Sequence, residues 1–279
     1  MTTQQALDHL ILFVPQDPHT NLPKIPSFIT NPFTLTPGGF HADGATSNTL
    51  ILLADGCYIE LISFVNPALA SEHWWGPDAQ FVGWKDWCLT NDVSAEENYE
   101  RVERSHEEPV KGGRKRADGV DVAWAVTFPK GGQRGRGRVP FFCHDVTARR
   151  VRVPLDDAKI GHACGALGVR GLTVIVRDAE MLGETKRVYE DVFGRGEVGG
   201  ADLVRFRVKR VREVEGVPGD ATITLRLPND DAERERVKES GFWYGDVVLV
   251  GKDKGKTSGT RERLDSVEGG IGGLWISYV

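Results

Sequence analysis

The sequence predicts an α+β fold in which repeated βαβββ modules form curved mixed sheets around a pocket. Three observations carry this. The order strand, helix or loop, then further strands recurs along the 279 residues. The strand candidates are short, apolar and bounded by Gly, Pro, Asn and Asp. Helical periodicity is confined to a few segments between them.

Leu7–Val14 (LDHLILFV) reads as a strand stopped by Pro15. Asn21–Pro37 is rich in Pro, Thr and Asn, with room for a short helix only. Thr36–Asn48 (TPGGFHADGATSN) reads as a loop from its glycines and small polar residues. Asn48–Leu53 and Cys57–Val65 follow as strands, with the Asp-Gly pair of ADG forming their hairpin turn. Ser71–Gln80, containing HWWGPD, is a loop or irregular helix, and Phe81–Leu89 ends in a strand. Asn91 or Ser94 is placed to cap a helix running to about Ser105. Val110–Asp121 and Lys130–Arg138 read as charged, glycine-containing loops flanking the strand Val122–Phe128, and Val139–Asp145 is the next strand.

Ala148–Asp157, charged and containing Pro154, reads as a linker. This divides the chain into residues 1–147, with two modules, and residues 148–279, with an additional or partial one. Arg170–Val176 is a strand, and Ala179–Val192 a helix with Leu182, Val188 and Val192 at helical spacing behind an Asp178 cap. Leu203–Val211, Ala221–Leu227 and Tyr244–Val250 supply further strands. Gly251–Gly259 is a turn or loop, and the terminal GGIGGLWISYV returns to an edge or caps a cavity.

Composition bounds the partners. The formal charge of −5 argues against a global field for nucleic acid. No apolar run reaches membrane-span length, and the N-terminal residues lack a secretory pattern. The widely spaced Cys57, Cys88, Cys143 and Cys164 form no zinc-type pairs and suit a reducing, cytoplasmic setting. The basic clusters Arg114–Arg116 and Arg134, Arg136 and Arg138 read as solvated loops or as sites for an acidic ligand. GKDKGKTSG lacks the spacing of a P-loop.

His9 and Glu60 are polar groups inside apolar strands, and His144 ends a third. Unpaired burial of such groups is costly, so each needs a partner. If the three strands line one concavity, His9, Glu60 and His144 form a two-imidazole, one-carboxylate set able to hold a divalent metal. The competing reading pairs Glu60 with an arginine and leaves both histidines as ordinary polar groups. Asn48 and the rings of Trp74, Trp75 and Trp124 are candidates to contact substrate. Capping and packing are their alternatives. His41, a lone histidine in the expected loop, is placed to reach a pocket mouth, with simple solvation as the commoner alternative.

Taken in order, LDHLILFVP, the loop before NTLILLADGCYIELISFV, WCLT followed by RKRADGVDVAWAVTF, and VPFFCHD resemble the glyoxalase-like domains of the vicinal oxygen chelate superfamily. HACGALGVRGLTVIV, from His162, is similar to the continuation in larger members. The likeness covers most of residues 7–177. It implies pockets built from paired βαβββ modules and, in many members, a metal held between facing strands. Carried over, it marks His9 and Glu60 as ligands and places His144 where relatives carry an acid. The remaining ligand falls near Trp87–Leu89, where only Cys88 has donor chemistry. The implied cofactor is a divalent ion (zinc, iron, manganese or nickel). The implied activity is a metal-dependent lyase, isomerase or related enzyme on a small-to-medium organic molecule, in which a metal held by His9, Glu60 and His144 polarises a carbonyl or stabilises an enolate; Glu60 and His144 are the catalytic candidates, and Glu60 is alternatively a base if it does not hold the metal. The alternative is a metal-free protein that binds or sequesters a small molecule. A homodimer is compatible with either.

Overall fold

The computed structural model describes residues 4–76, 79–116, 118–134, 136–253, 255–265 and 273–279. Residues 77 and 78 of the HWWGPD loop, residue 254 of the GKDKGKTSG stretch and residues 269–272 of the terminal glycine segment lie outside the described residues. So does the Arg134 side chain.

The first half of the chain runs β1 (Ala6–Phe13), α1 (Ser27–Thr30), β2 (Thr36–His41), β3 (Thr46–Leu52) and β4 (Tyr58–Phe64). It continues with β5 (Gly83–Thr90), α2 (Ala95–Val102), β6 (Val110–Lys115), β7 (Asp121–Thr127) and β8 (Phe141–Asp145). These strands close into an eight-stranded barrel ordered β1-β4-β3-β2-β6-β7-β8-β5. A short helix, α3 (Arg149–Arg152), lies in the expected linker, and a second, α4 (Asp157–Ile160), begins at its last residue. The second half carries β9 (Ala166–Val176), α5 (Ala179–Phe193), β10 (Glu197–Gly200), β11 (Leu203–Val208), β12 (Ala221–Arg226), α6 (Asp231–Ser240), β13 (Phe242–Gly251), β14 (Arg261–Arg263) and β15 (Leu274–Tyr278). Its strands form an open, mixed seven-stranded sheet ordered β10-β11-β12-β9-β13-β15-β14.

Local chemistry sets the helix ends. Ser94 and Glu97 form a reciprocal capping box on α2, and Asp178 accepts from the Met181 N–H at 2.9 Å to start α5. Asp230 does the same for α6, which stops at Gly241 in the left-handed region (φ 79°).

Strand alternation divides the barrel's side chains. Leu10, Leu12, Ile59, Leu61, Trp87 and Leu89 point outward and merge with Leu172, Val174, Tyr189, Phe206 and Leu225 into one core. Trp87 sits at its centre, 5.7 Å from the Tyr189 ring, while its indole N–H donates to the Gly137 carbonyl. Ile11, Phe13, Ile62, Phe64, Cys88, Phe141 and Cys143 form a separate interior cluster. The second sheet therefore buttresses β1, β4 and β5 from outside and leaves the barrel interior to a cavity.

Two segments expected to be loops, Thr36–His41 and Val110–Lys115, are strands. They pair with each other only through Phe40–Lys115 and His41–Arg114, and this short seam joins the two halves of the barrel. Their glycines, which suppress a strand signal, make room inside. A Cβ on Gly38 would lie 1.7 Å from Asn48 Oδ1, and one on Gly112 would lie 2.3 Å from Trp124 Nε1. Helix α6 is absent from the expected elements because its sequence, DAERERVKES, buries only Val237. The described cysteines are all unpaired. Among the described residues, no helix is long and apolar enough to cross a membrane.

Candidate functional site

The barrel encloses a cavity of about 580 Å³. Its polar half comes from β1 to β4 and β6: His9, His41, Asn48, Tyr58, Glu60 and Arg114. Its apolar half comes from the opposite strands and the loop before β5, with Trp74, Trp75, Trp124, Phe128 and Phe141 among its walls.

Glu60 is the hub. Its Oε1 accepts from the Asn48 amide at 2.5 Å and lies 3.4 Å from His41 Nε2, while Oε2 is 3.6 Å from His9 Nε2. Burial would raise its pKa. The hydrogen bond and charge of His41, the charge of His9 and the Asn48 amide outweigh that and hold the carboxyl at about 2. His41 is itself oriented by Thr46, whose hydroxyl is 2.7 Å from Nδ1.

His9 is held from behind by Asp8. The register of β1 on β5 passes from Leu7–Leu89 to His9–Cys88 without pairing Asp8, so Asp8 is the extra residue of a β-bulge. The bulge points the acid away from the cavity. Its Oδ1 lies 2.9 Å from His9 Nδ1, and its carboxylate accepts from Arg149 at 2.9 Å and from Arg152 at 2.8 Å. Burial opposes ionisation of Asp8, but the two guanidiniums and His9 hold its pKa well below the usual range. An ionised Asp8 accepts from Nδ1–H and leaves Nε2 as the nitrogen that exchanges a proton with the cavity. The His9 ring stacks on Tyr58 at 4.5 Å, and the Tyr58 hydroxyl accepts from Arg152 at 2.9 Å.

The tryptophan wall has its own anchor. Asp86, buried on β5, accepts from the indole N–H groups of Trp74 (3.1 Å) and Trp75 (2.9 Å) and from the Trp87 backbone N–H (2.9 Å). Burial raises its pKa against those three donors. Trp74 stacks on Phe128 at 4.2 Å. At the rim, His73 Nε2 is 3.4 Å from Asp43.

Of the residues singled out from the sequence, the cavity gathers His9, Glu60, Asn48, Trp74, Trp75 and Trp124. It does not gather His144. On β8, Phe141 and Cys143 line the cavity, so alternation turns Phe142 and His144 outward. His144 Nε2 instead meets Asn91 Oδ1 at 3.0 Å beside a different groove, where burial lowers its pKa. The expected His9–Glu60–His144 set is thus not assembled. His41, for which solvation is the commoner reading and a pocket mouth the other, takes the place beside Glu60. Its signal was its position directly before the small, polar turn of a strand pair, which glycine content disguised. Trp84 and Trp87 belong to the outer core, whereas Trp124 faces the cavity.

A divalent metal does not fit this donor set. Among the described residues, no three His, Cys, Asp or Glu side chains are arranged to hold one. Glu60 is engaged by protein donors, and His144 lies on the other face of its strand. Burial first, then the neighbouring Cys143 and Asp8, push the Cys88 thiol well above its ordinary pKa, whereas a ligand must be thiolate.

Residues 7–191 match the family described as Glyoxalase-like domain. No curated protein matches the sequence. A hypothetical protein from Staphylococcus aureus shares the fold over 99% of this chain and 100% of its own (TM-score 0.66, 14% identity). So does a triple mutant of 4-hydroxymandelate synthase from Streptomyces coelicolor, over 90% of this chain and 72% of its own (TM-score 0.50, 13% identity). A xylose isomerase-like TIM barrel/4-hydroxyphenylpyruvate dioxygenase fusion protein aligns over 89% of this chain and 36% of its own (TM-score 0.50, 12% identity).

Proposed function

Since the chain belongs to the glyoxalase-like domain family, we propose that its barrel is a metal-independent acid–base site acting on a small organic molecule beside a carbonyl group. We read the barrel as two βαβββ modules, β1-α1-β2-β3-β4 and β5-α2-β6-β7-β8, and β9-α5-β10-β11-β12 as a third. On this reading residues 1–147 carry the site and residues 148–279 support it.

The observation that carries the proposal is the Asp8–His9 pair facing a buried, ionised Glu60 across the cavity's polar half. Neutral His9 takes a proton at Nε2 from the carbon next to the carbonyl, and the electron pair of the broken C–H bond passes to the carbonyl oxygen as an enolate. The imidazolium so formed lies between two carboxylates, Asp8 behind and Glu60 in front, and each stabilises it more strongly in this dry interior than water would allow. Glu60 also bridges His9 to His41, so a proton received at His9 has a second imidazole 3.4 Å beyond the carboxylate to which it can pass. The aromatic half excludes water and orients the apolar body of the molecule.

Exchange of α-protons in deuterium oxide tests this, followed by proton NMR across a panel of small carbonyl compounds. The native protein is expected to speed exchange of at least one compound, and His9→Gln to lower that rate by ~10²–10⁴-fold. Equal exchange rates with native protein, with His9→Gln and without protein, across the whole panel, would defeat the proposal. The full set of protein donors around Glu60 favours a second reading, a binding protein without turnover. It predicts tight binding with no exchange.

A further inference from the structure

Arg114 stands out among the charged groups of the cavity. It lies on β6, is 6% exposed and lines the polar half. A guanidinium carries five N–H donors. Those of Arg114 reach two neutral oxygens, Asn48 Oδ1 at 3.2 Å and the Arg152 carbonyl at 3.3 Å. Among the described residues no carboxylate lies within ion-pair distance of it. The acids nearby are engaged elsewhere: Asp8 and Asp145 by Arg149 and Arg152, Glu60 by His9, His41 and Asn48. Glu60 acts on it only at longer range, through its charge and the shared Asn48 amide, and a buried cation without a contacting counter-ion is expensive and is normally paired. The fold nevertheless reserves the space for it, because a Cβ at Gly38 would lie 2.7 Å from Arg114 Nη1.

We infer that Arg114 is a carboxylate anchor, and that the cavity takes a monocarboxylic acid with a flat apolar body. The acid supplies the missing counter-ion to the guanidinium fork, the geometry that suits a carboxylate best. The body lies against Trp74, Trp124 and Phe128. This rests on reading the barrel cavity as a ligand site. It adds which group of the ligand is recognised and by which residue.

Titration calorimetry with matched acids and amides tests it: phenylacetate against phenylacetamide, and hydrocinnamate against hydrocinnamide. Each pair keeps the body and removes the charge. The native protein is expected to bind at least one acid ~10–100-fold more tightly than its amide, the range of a charge-assisted bond over a neutral one. Arg114→Gln should bring that acid to the affinity of its amide. Arg114→Lys, which keeps the charge but not the fork, should retain part of the preference and shows whether the position tolerates change. Equal affinity of acid and amide for the native protein overturns the inference. So does an undiminished preference in Arg114→Gln or, should that variant not fold, in Arg114→Lys. So does failure of both acids to bind. The acid–base proposal fails differently, by acids that bind well while no panel compound exchanges its α-protons.

Discussion

The ionised state of Glu60 has a thermodynamic consequence that can be measured without knowing any ligand. Its pKa is about 2 in the folded protein, against roughly 4.3 for an unperturbed glutamate. The unfolded chain therefore binds the proton more tightly than the folded one. Stability from this group is fully present above the unfolded value and is lost as pH falls towards the folded value. The lowering corresponds to roughly 3 kcal/mol at pH 7, of which most remains at pH 4 and about half at pH 3. Glu60→Gln removes the titration while keeping an oxygen for Asn48. Urea unfolding of both proteins, followed by tryptophan fluorescence at several pH values between 3 and 7, isolates the group, because every other titration is common to the pair. The stability gap between native protein and Glu60→Gln should shrink by about 1 to 2 kcal/mol on going from pH 7 to pH 3, mostly below about pH 5. A gap that stays constant over that range would mean that Glu60 gains no protection from His41, His9 and Asn48, and the acid–base site would lose its hub.

Asp55 should behave in the opposite sense. Burial raises its pKa to about 6 despite hydrogen bonds from Val169 and Cys57, so its contribution is present below about pH 4 and lost as pH rises through 6. The stability of the native protein relative to Asp55→Asn should fall by up to about 3 kcal/mol from pH 4 to pH 7, read by the same unfolding assay. Gly38→Ala drives a methyl group into Asn48 and Arg114 and should lower stability by about 1–3 kcal/mol in urea titration. His144→Ala should leave α-proton exchange within about twofold of the native rate, since the side chain lies outside the barrel; a loss of the size expected for a general acid or base, ~10²-fold or more, would return His144 to the site. Asp86→Ala leaves two indole N–H groups and a backbone N–H without their acceptor and should cost about 2–4 kcal/mol by thermal unfolding.

The fold was legible where apolar residues alternate or recur. LDHLILFV, CYIELISF and the strands after Arg170 declare themselves, and Ser94 and Asp178 cap the helices they were expected to cap. It was illegible where side-chain volume is given up to the cavity. TPGGFH and VKGGRK carry too little apolar bulk to read as strands, yet they close the barrel because backbone pairing needs no side chain. Helix α6 escaped for the complementary reason: it lies on the surface with one buried residue, so no stripe marks it.

The same argument explains the partial success at the site. His9 and Glu60 were visible because a polar residue in an apolar strand must be satisfied somewhere. Their true partners were not visible, since each depends on a parity or an insertion that composition does not encode. His144 shares a strand with Cys143, and one position decides which of them enters the cavity. Asp8 reaches the back of His9 only because a bulge places it outside the pairing register. His41 reaches Glu60 only if TPGGFH is a strand, and that follows from the glycines once they are read as space kept for Asn48 and Arg114 rather than as a loop. A glycine-rich segment between two apolar strands is then evidence about a cavity, and the polar residues flanking it, His41 and Arg114 here, become candidates to face inward. Should Gly38→Ala leave both stability and acid binding unchanged, that reading of the glycines fails, and the assignment of Arg114 loses the packing argument that supports it.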